Sequence, residues 1–261
     1  EKHRALALSM VVTGSSVAMV LGMPIGRIIG LHLGWRMTFL TIGIFAFLIF
    51  IYAAVFLPRV PSRGGFSPRK LPALLRDRGL SGMYLYTLLV ATAYYICYSY
   101  IEPFLKQQVG MSDQLVTASL MIYGVAGFLG SVVFSKFYGR DRRRFMSAMV
   151  GMMALTLLLI LPTAVCQPAN IVVFALMSLA ATAYNVAMQS LIIQITTQES
   201  TAVAMSIFSG IFNLGIGSGA AIGGGICTHL SIAYIGVAGA VLAVVAYVYW
   251  RFRLGNMVCR P

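Results

Sequence analysis

The sequence predicts an all-α integral membrane protein of eight transmembrane helices, and four observations lead there. Of the 261 residues, 59% are hydrophobic and only 10% are charged, where a soluble domain carries roughly a quarter Asp, Glu, Lys and Arg. A mean hydropathy of +0.88 leaves too few polar side chains to cover a water-facing surface. The apolar residues gather in stretches of about 20, the length that crosses a hydrocarbon core. Finally, segments such as Met146–Pro162 are apolar on every face, whereas a membrane barrel alternates in segments of about 10 residues. Soluble enzymes and secreted disulfide scaffolds are excluded.

The eight stretches run 5–30, 37–57, 80–104, 114–138, 145–165, 171–195, 202–227 and 232–252. The first two form one domain, 1–57. Residues 58–79 are the long polar segment, with Pro58, Pro61, Pro68, Pro72, Gly64-Gly65 and six basic residues, and read as a cytoplasmic linker. Six helices over 80–253 and a cytoplasmic tail over 254–261 complete the chain. Cys97, Cys166, Cys227 and Cys259 have neither paired nor metal-ligand spacing, so they read as structural thiols.

Orientation follows from Lys and Arg, which concentrate in cytoplasmic loops. With a cytoplasmic N-terminus, Lys2 and Arg4, the six basic residues of 58–79, Lys136 with Arg140 and Arg142–Arg144, and Arg251, Arg253 and Arg260 all fall inside. Arg27, Arg36 and Lys106 fall outside. Both termini are then cytoplasmic. The net charge of +13 lies in short runs between apolar stretches, which excludes a nucleic-acid partner and suits the lipid bilayer.

An internal repeat organises these spans. Ala5-Leu6-Ala7-Leu8-Ser9 and Ala202-Val203-Ala204-Met205-Ser206 share A-x-A-x-S, and Gly22, Pro24, Gly26 and Gly30 match Gly215, Gly217, Gly219 and Gly223. The two offsets differ by about one helical turn. If the unit is duplicated, the span near residue 80 opens the second copy and the first copy began about 115 residues before Glu1. The chain would hold the last two helices of an N-terminal six-helix bundle and a complete C-terminal six-helix bundle, with four preceding helices of the same protein as its structural partners.

Several residues could carry chemistry. Gly22, Gly26 and Gly30 leave one helix face bare, and Pro24 bends it; this serves either as a seal or pivot, or as plain packing. Glu102 is the acidic residue within an apolar span, a position that favours a proton or substrate role unless it pairs with Lys106 one turn on. Tyr94 and Tyr98 share a helical face that reaches toward Glu102. Phenol rings stack on a sugar's apolar faces while their hydroxyls bond its rim, although an interfacial aromatic belt also accounts for Tyr100. Asn185 with Gln189, and Asn213 alone, place amides deep in spans, where either neighbouring helices or a substrate must satisfy them. Arg27 and Arg36 read as snorkelling side chains. His3, His32 and His229 lie at helix ends without Cys or carboxylates at ligand spacing, so no enzyme, metal or cofactor is expected. No ring of like charges or filter loop suggests a channel.

Gly14, Gly22, Pro24, Gly26 and Gly30, followed by Gly34-Trp35-Arg36-Met37-Thr38-Phe39, resemble the fifth-helix antiporter motif of the major facilitator superfamily. Gly130–Phe134 with Gly139, Arg140, Asp141, Arg142, Arg143 and Arg144 resemble that superfamily's basic cytoplasmic motif between helices eight and nine. There Asp141, beside Arg140 and Arg142, would order a salt-bridged gate loop or be a solvated loop charge. Tyr98–Phe104 and Phe208–Asn213 resemble the bacterial sugar efflux transporters, the arabinose exporter group of the drug:proton antiporter branch. The resemblance implies export of a small sugar across the bacterial inner membrane by proton antiport and alternating access. A multidrug exporter of the same fold and a transport-inactive fragment are the rival readings.

The orientation is checked with cysteines introduced at Ser62 and Gln167. In intact cells the first should resist a membrane-impermeant thiol reagent and the second should react; the reverse pattern overturns the assignment.

Overall fold

Backbone N–H and C=O groups have no water to bond in a bilayer, so an apolar chain closes its hydrogen bonds within helices. The computed structural model describes residues 18, 21–22, 24–56, 76–197 and 199–258, and among them there is no strand. Six stretches are long and apolar enough to cross a membrane: Trp35–Phe56, Arg78–Gln107, Asp113–Phe137, Gln167–Ile195, Thr201–His229 and Ile232–Val258. The expectation of eight meets two obstacles. Most of the span at 5–30, with Gly14, lies outside the described residues, and the helix at 145–165 begins instead at Arg142 and opens on three arginines, too charged a start to count among the six. The chain divides into two compact units, Glu1–Gly65 and Phe66–Pro261.

In the first unit, α1 is described over 24–33 and α2 spans Trp35–Phe56. Between them Gly34 takes φ +86°, a left-handed conformation that costs a side-chain-bearing residue energy and so ends the first helix cleanly. The bare face of α1 turns toward α2. The Thr38 hydroxyl donates to the Gly26 carbonyl at 3.2 Å, and a side chain at Gly30 would come within 3.4 Å of the same hydroxyl. Gly22 meets nothing within 4 Å, and Pro24 is buried. Arg36 lies over the Trp35 ring, as an interfacial cation would;. Arg27 does not snorkel: it is only 8% exposed. No residue of α2 is buried, and away from Thr38 most of its apolar surface is open, as lipid solvation allows;.

The second unit holds α3 (Arg78–Tyr98), α4 (Ile101–Gln107), α5 (Asp113–Phe137), α6 (Arg142–Leu159), α7 (Gln167–Ile195), α8 (Thr201–His229) and α9 (Ile235–Tyr249). A π-helical turn, Trp250–Leu254, and a last short helix, α10 (Gly255–Val258), follow. The span expected as one helix over 80–104 is broken at Ser99–Tyr100. Pro103 is the cause: it has no N–H to give the Ser99 carbonyl, and its ring crowds that carbonyl.

Close contacts fix the register of the bundle. The Tyr84 and Tyr100 hydroxyls donate to the carbonyls of Ala204 (3.1 Å) and Ala220 (2.9 Å), so α3 and α8 run parallel with a constant offset. Between these two bonds lie Gly215, Gly219 and Gly223. A Cβ at Gly219 would stand 2.7 Å from the Thr92 carbonyl, and one at Gly223 would stand 2.6 Å from that of Ile96. The repeat's fourth member, Gly217, meets nothing within 4 Å. Small residues at every fourth position let two backbones touch, which replaces the hydrophobic drive that lipid removes. Gly130 of α5 seats in the same way on the Leu179 carbonyl of α7, and Gly239 of α9 on the Ala93 carbonyl of α3. At the basic end, Trp250 is fully buried, stacks on Tyr86 and donates to the Arg143 carbonyl at 3.2 Å. The Arg143 guanidinium in turn donates to the Arg251 carbonyl at 3.0 Å, so the start of α6 is tied to the end of α9.

Replacing Gly219 by Ala should lower unfolding stability by about 1–3 kcal/mol through overpacking, while Gly217→Ala is neutral or slightly stabilising. Thermal unfolding of the purified variants in detergent checks this, and equal midpoints would contradict it.

Candidate functional site

A tyrosine in a membrane helix brings a large apolar ring and one hydroxyl that needs a partner. On α3 three such residues fall within two turns. Tyr94 and Tyr98, four apart, stack with ring centroids 5.2 Å apart and planes at 17°, while Tyr95 meets both edge-on. The stack continues across to α5, where Tyr123 lies 5.5 Å from Tyr98 and its hydroxyl is hydrogen-bonded to that of Tyr94. The Ser178 hydroxyl of α7 donates to the Tyr123 carbonyl at 2.8 Å, which holds that residue's backbone. Phe212 of α8 stands edge-on to Tyr95, and Phe208 follows it one turn earlier. Four phenols from two helices and two phenyl rings from a third thus make one aromatic cluster, with Tyr94, Tyr95 and Tyr98 half-buried.

The amides fall elsewhere. The Gln189 amide donates to the Asn185 carbonyl oxygen at 2.6 Å, so the expected pair forms within α7. Its depth is set by two aromatic contacts, Tyr86 of α3 with Tyr184 and Phe104 of α4 with Phe174, which run α3 and its continuation α4 antiparallel to α7. Tyr94 lies eight residues from Tyr86 toward one end, while Asn185 and Gln189 lie beyond Tyr184 toward the other. At 1.5 Å per residue, roughly 13–20 Å along the bundle separates the amide pair from the tyrosines. Asn213 sits near the tyrosine level, beside Phe212, but is exposed and donates to the Ser209 carbonyl of its own helix at 2.8 Å.

A helix break at Ser99–Tyr100, forced by Pro103, lies between Glu102 and the helix that carries Tyr94 and Tyr98. The Glu102 carboxylate lies 3.6 Å from the Lys106 ammonium, which also reaches Asp113 at 2.7 Å, and all three side chains are more than a third exposed. This is the surface pairing that the sequence left open as one of two readings.

At the opposite end, Asp141 caps α6: its carboxylate accepts from the Arg144 N–H at 2.9 Å and pairs with the Arg144 side chain at 3.1 Å. The salt bridge of this loop thus runs from Asp141 to Arg144 rather than to Arg140 or Arg142. Those two turn to aromatic rings, Arg140 over Phe137 and Arg142 over Tyr138. Helix geometry explains the difference, since a capping side chain meets the residue three positions on. Gly139 meets nothing within 4 Å and closes the turn between α5 and α6.

The sequence reading missed Tyr123 as a site residue. Its signal was a single phenol in the middle of an otherwise apolar span. Tyr95 and Phe212 were visible in the motifs but were not assigned to the site.

The family model for the Major Facilitator Superfamily matches this chain over residues 1–171 and again over 83–256. The chain belongs to the major facilitator superfamily. It is a multi-pass membrane transporter protein, all-helical among the described residues.

Loss of the cap should be felt more than loss of the ion pair. Asp141→Ala should cost about 1 kcal/mol of stability, whereas Arg144→Gln, which removes a side chain 90% exposed, should cost less than about 0.5 kcal/mol. Detergent unfolding of both variants measures the order, and a reversed order would refute the capping role.

Proposed function

We propose that this transporter exports a small neutral polar solute, a sugar or a sugar-like thiogalactoside, from a bacterial cytoplasm in exchange for protons. The observation that carries the reading is the tyrosine cluster: stacked rings of Tyr94 and Tyr98, extended by Tyr95 and Tyr123, with no carboxylate or cation among them. Flat rings suit the apolar faces of a pyranose or furanose, and phenol hydroxyls suit its rim. A lipophilic cation, the substrate class of a multidrug exporter, is also drawn to ring faces, but the lack of a carboxylate among these rings favours a neutral solute.

In this proposal Tyr94, Tyr98 and Tyr123 hold the solute at one level of the second unit. Asn185 and Gln189 meet it at a second level, and the side with the basic α5–α6 turn faces the cytoplasm of an inner membrane. The bare face of Gly22, Gly26 and Gly30 around Pro24 serves as the seal against proton leak. Alternating access comes from rocking of two helix bundles about a central cavity. Glu102 stands outside this site, because an exposed carboxylate paired with an ammonium is worth under about 1 kcal/mol and offers no shielded proton.

Efflux of labelled pentose from cells expressing the intact gene tests the reading. Export should exceed vector controls, fall at least about tenfold in Tyr98→Ala and by less in Tyr98→Phe, which keeps the stacking ring. Glu102→Gln should export with unchanged pH dependence. Pentose retained as in controls while cationic dyes leave the cell would replace the sugar reading with a multidrug one. Loss of export in Glu102→Gln at normal membrane levels would return that carboxylate to the mechanism.

A further inference from the structure

Away from the tyrosine cluster, the basic end of the second unit holds a cavity of about 730 Å³ between the start of α3 and the end of α9. Two guanidinium-bearing residues, Arg78 and Arg253, line it from opposite helices, with the hydroxyl-bearing Ser81 and Tyr249 beside them and Leu85 and Met257 as apolar wall. None of its lining residues is acidic. Asp77, adjacent in sequence, is outside the lining and turns a carboxylate oxygen back to the Leu80 N–H at 2.8 Å, capping α3.

Sequence spacing builds the site. Arg78, Ser81 and Leu85 recur at three and four residues and so share one face of α3, and Tyr249, Arg253 and Met257 recur at four on the facing element. Gly82 sets the floor: a Cβ there would stand 2.7 Å from the Leu254 side chain and 3.0 Å from the Tyr249 hydroxyl, so the two elements meet closely at that point. Arg253 lies in the π-helical turn Trp250–Leu254, a local widening that is frequent at functional sites;. Along α3 the face grades from charge to hydrocarbon, from Arg78 at the first residue to Leu85, 48% exposed, two turns deeper. On α9 the exposed Val245 and Val248 continue the apolar surface toward the bilayer.

We propose that this cavity is a binding site for an anionic phospholipid, whose phosphodiester is held between Arg78 and Arg253. The Ser81 and Tyr249 hydroxyls bond the headgroup, and an acyl chain follows Leu85 and Val245 into the membrane. Two cations without a carboxylate call for an anion; a cavity whose walls turn apolar with depth calls for one that carries hydrocarbon. Guanidinium forks match the phosphate geometry. The site is independent of the transported solute.

Native mass spectrometry of the purified protein in a neutral detergent tests it, by titration with phosphatidylglycerol, phosphatidylcholine and inorganic phosphate in turn. Wild type should bind one phosphatidylglycerol saturably and in preference to phosphatidylcholine. The pair Arg78→Gln with Arg253→Gln should weaken phosphatidylglycerol binding at least about tenfold, the pair Arg78→Lys with Arg253→Lys by about threefold or less, and Arg144→Gln not at all. Equal binding by the Gln pair, or phosphatidylcholine held as tightly as phosphatidylglycerol by wild type, would overturn the proposal. Displacement of the lipid by millimolar inorganic phosphate would show a soluble-anion pocket and overturn it as well. Should the Gln pair fail to fold, the contrast between the two lipids on wild type decides.

Discussion

The backbones of α3 and α8 touch, and most of what the second unit does depends on that contact. In water such an approach would follow from burying apolar area, but lipid tails are as apolar as leucine, so association has to come from van der Waals contact and polar bonds between helices. Gly215, Gly219 and Gly223 remove the side chains that would hold α8 away from the carbonyls of Leu88, Thr92 and Ile96. Once the backbones meet, the Tyr84 and Tyr100 hydroxyls reach carbonyls on α8 and lock the register. The remaining residues of the same α3 face, Ala91 and Thr92, are small for the same reason.

That register determines the aromatic cluster. With α8 seated on the face of α3 that carries Thr92 and Ile96, Tyr95 is left at the edge of the contact, where Phe212 meets it, and Tyr94 and Tyr98 are turned to α5 and Tyr123. The hydroxyl bond between Tyr94 and Tyr123 and the bond from Ser178 to the Tyr123 backbone then join α3, α5 and α7 at one level. A phenol cluster built this way stands on helices held by glycine contacts and not on loops, which keeps its rings in place.

Much of this was legible beforehand. Among the described residues, apolar stretches located α2, α5, α7, α8 and α9 to within a few positions, and the glycines at 215, 217, 219 and 223 marked a repeat of the α1 pattern, although not which helix they would meet. Tyr94 and Tyr98 were visible because a four-residue spacing puts two rings on one helical face whatever the fold. Two kinds of fact were not legible. Local chain chemistry overrules periodicity at Pro103, which breaks the 80–104 span ahead of Glu102 and starts the short helix on which Glu102 pairs with Lys106;. Depth was the other: whether Asn185 and Gln189 stand level with Tyr94 depends on how α3 slides against α7, and contacts such as Tyr86–Tyr184 reveal that offset only in the folded chain. Tyr123 was hidden for the same reason, since its partner lies on another helix.

Oxidative cross-linking measures the α3–α8 register most directly. In a background without native cysteines, Ala91→Cys with Gly215→Cys should form an intramolecular disulfide under mild oxidant, because a Cβ at Gly215 lies 2.6 Å from that of Ala91 and a separation near about 4 Å, which a disulfide needs, is reached by a small parting of the helices. Ala91→Cys with Gly217→Cys should not cross-link, since position 217 faces away from α3. Cross-linking through 217 and not 215 would mean that α8 presents a different face to α3, and the placement of the aromatic cluster would fall with it.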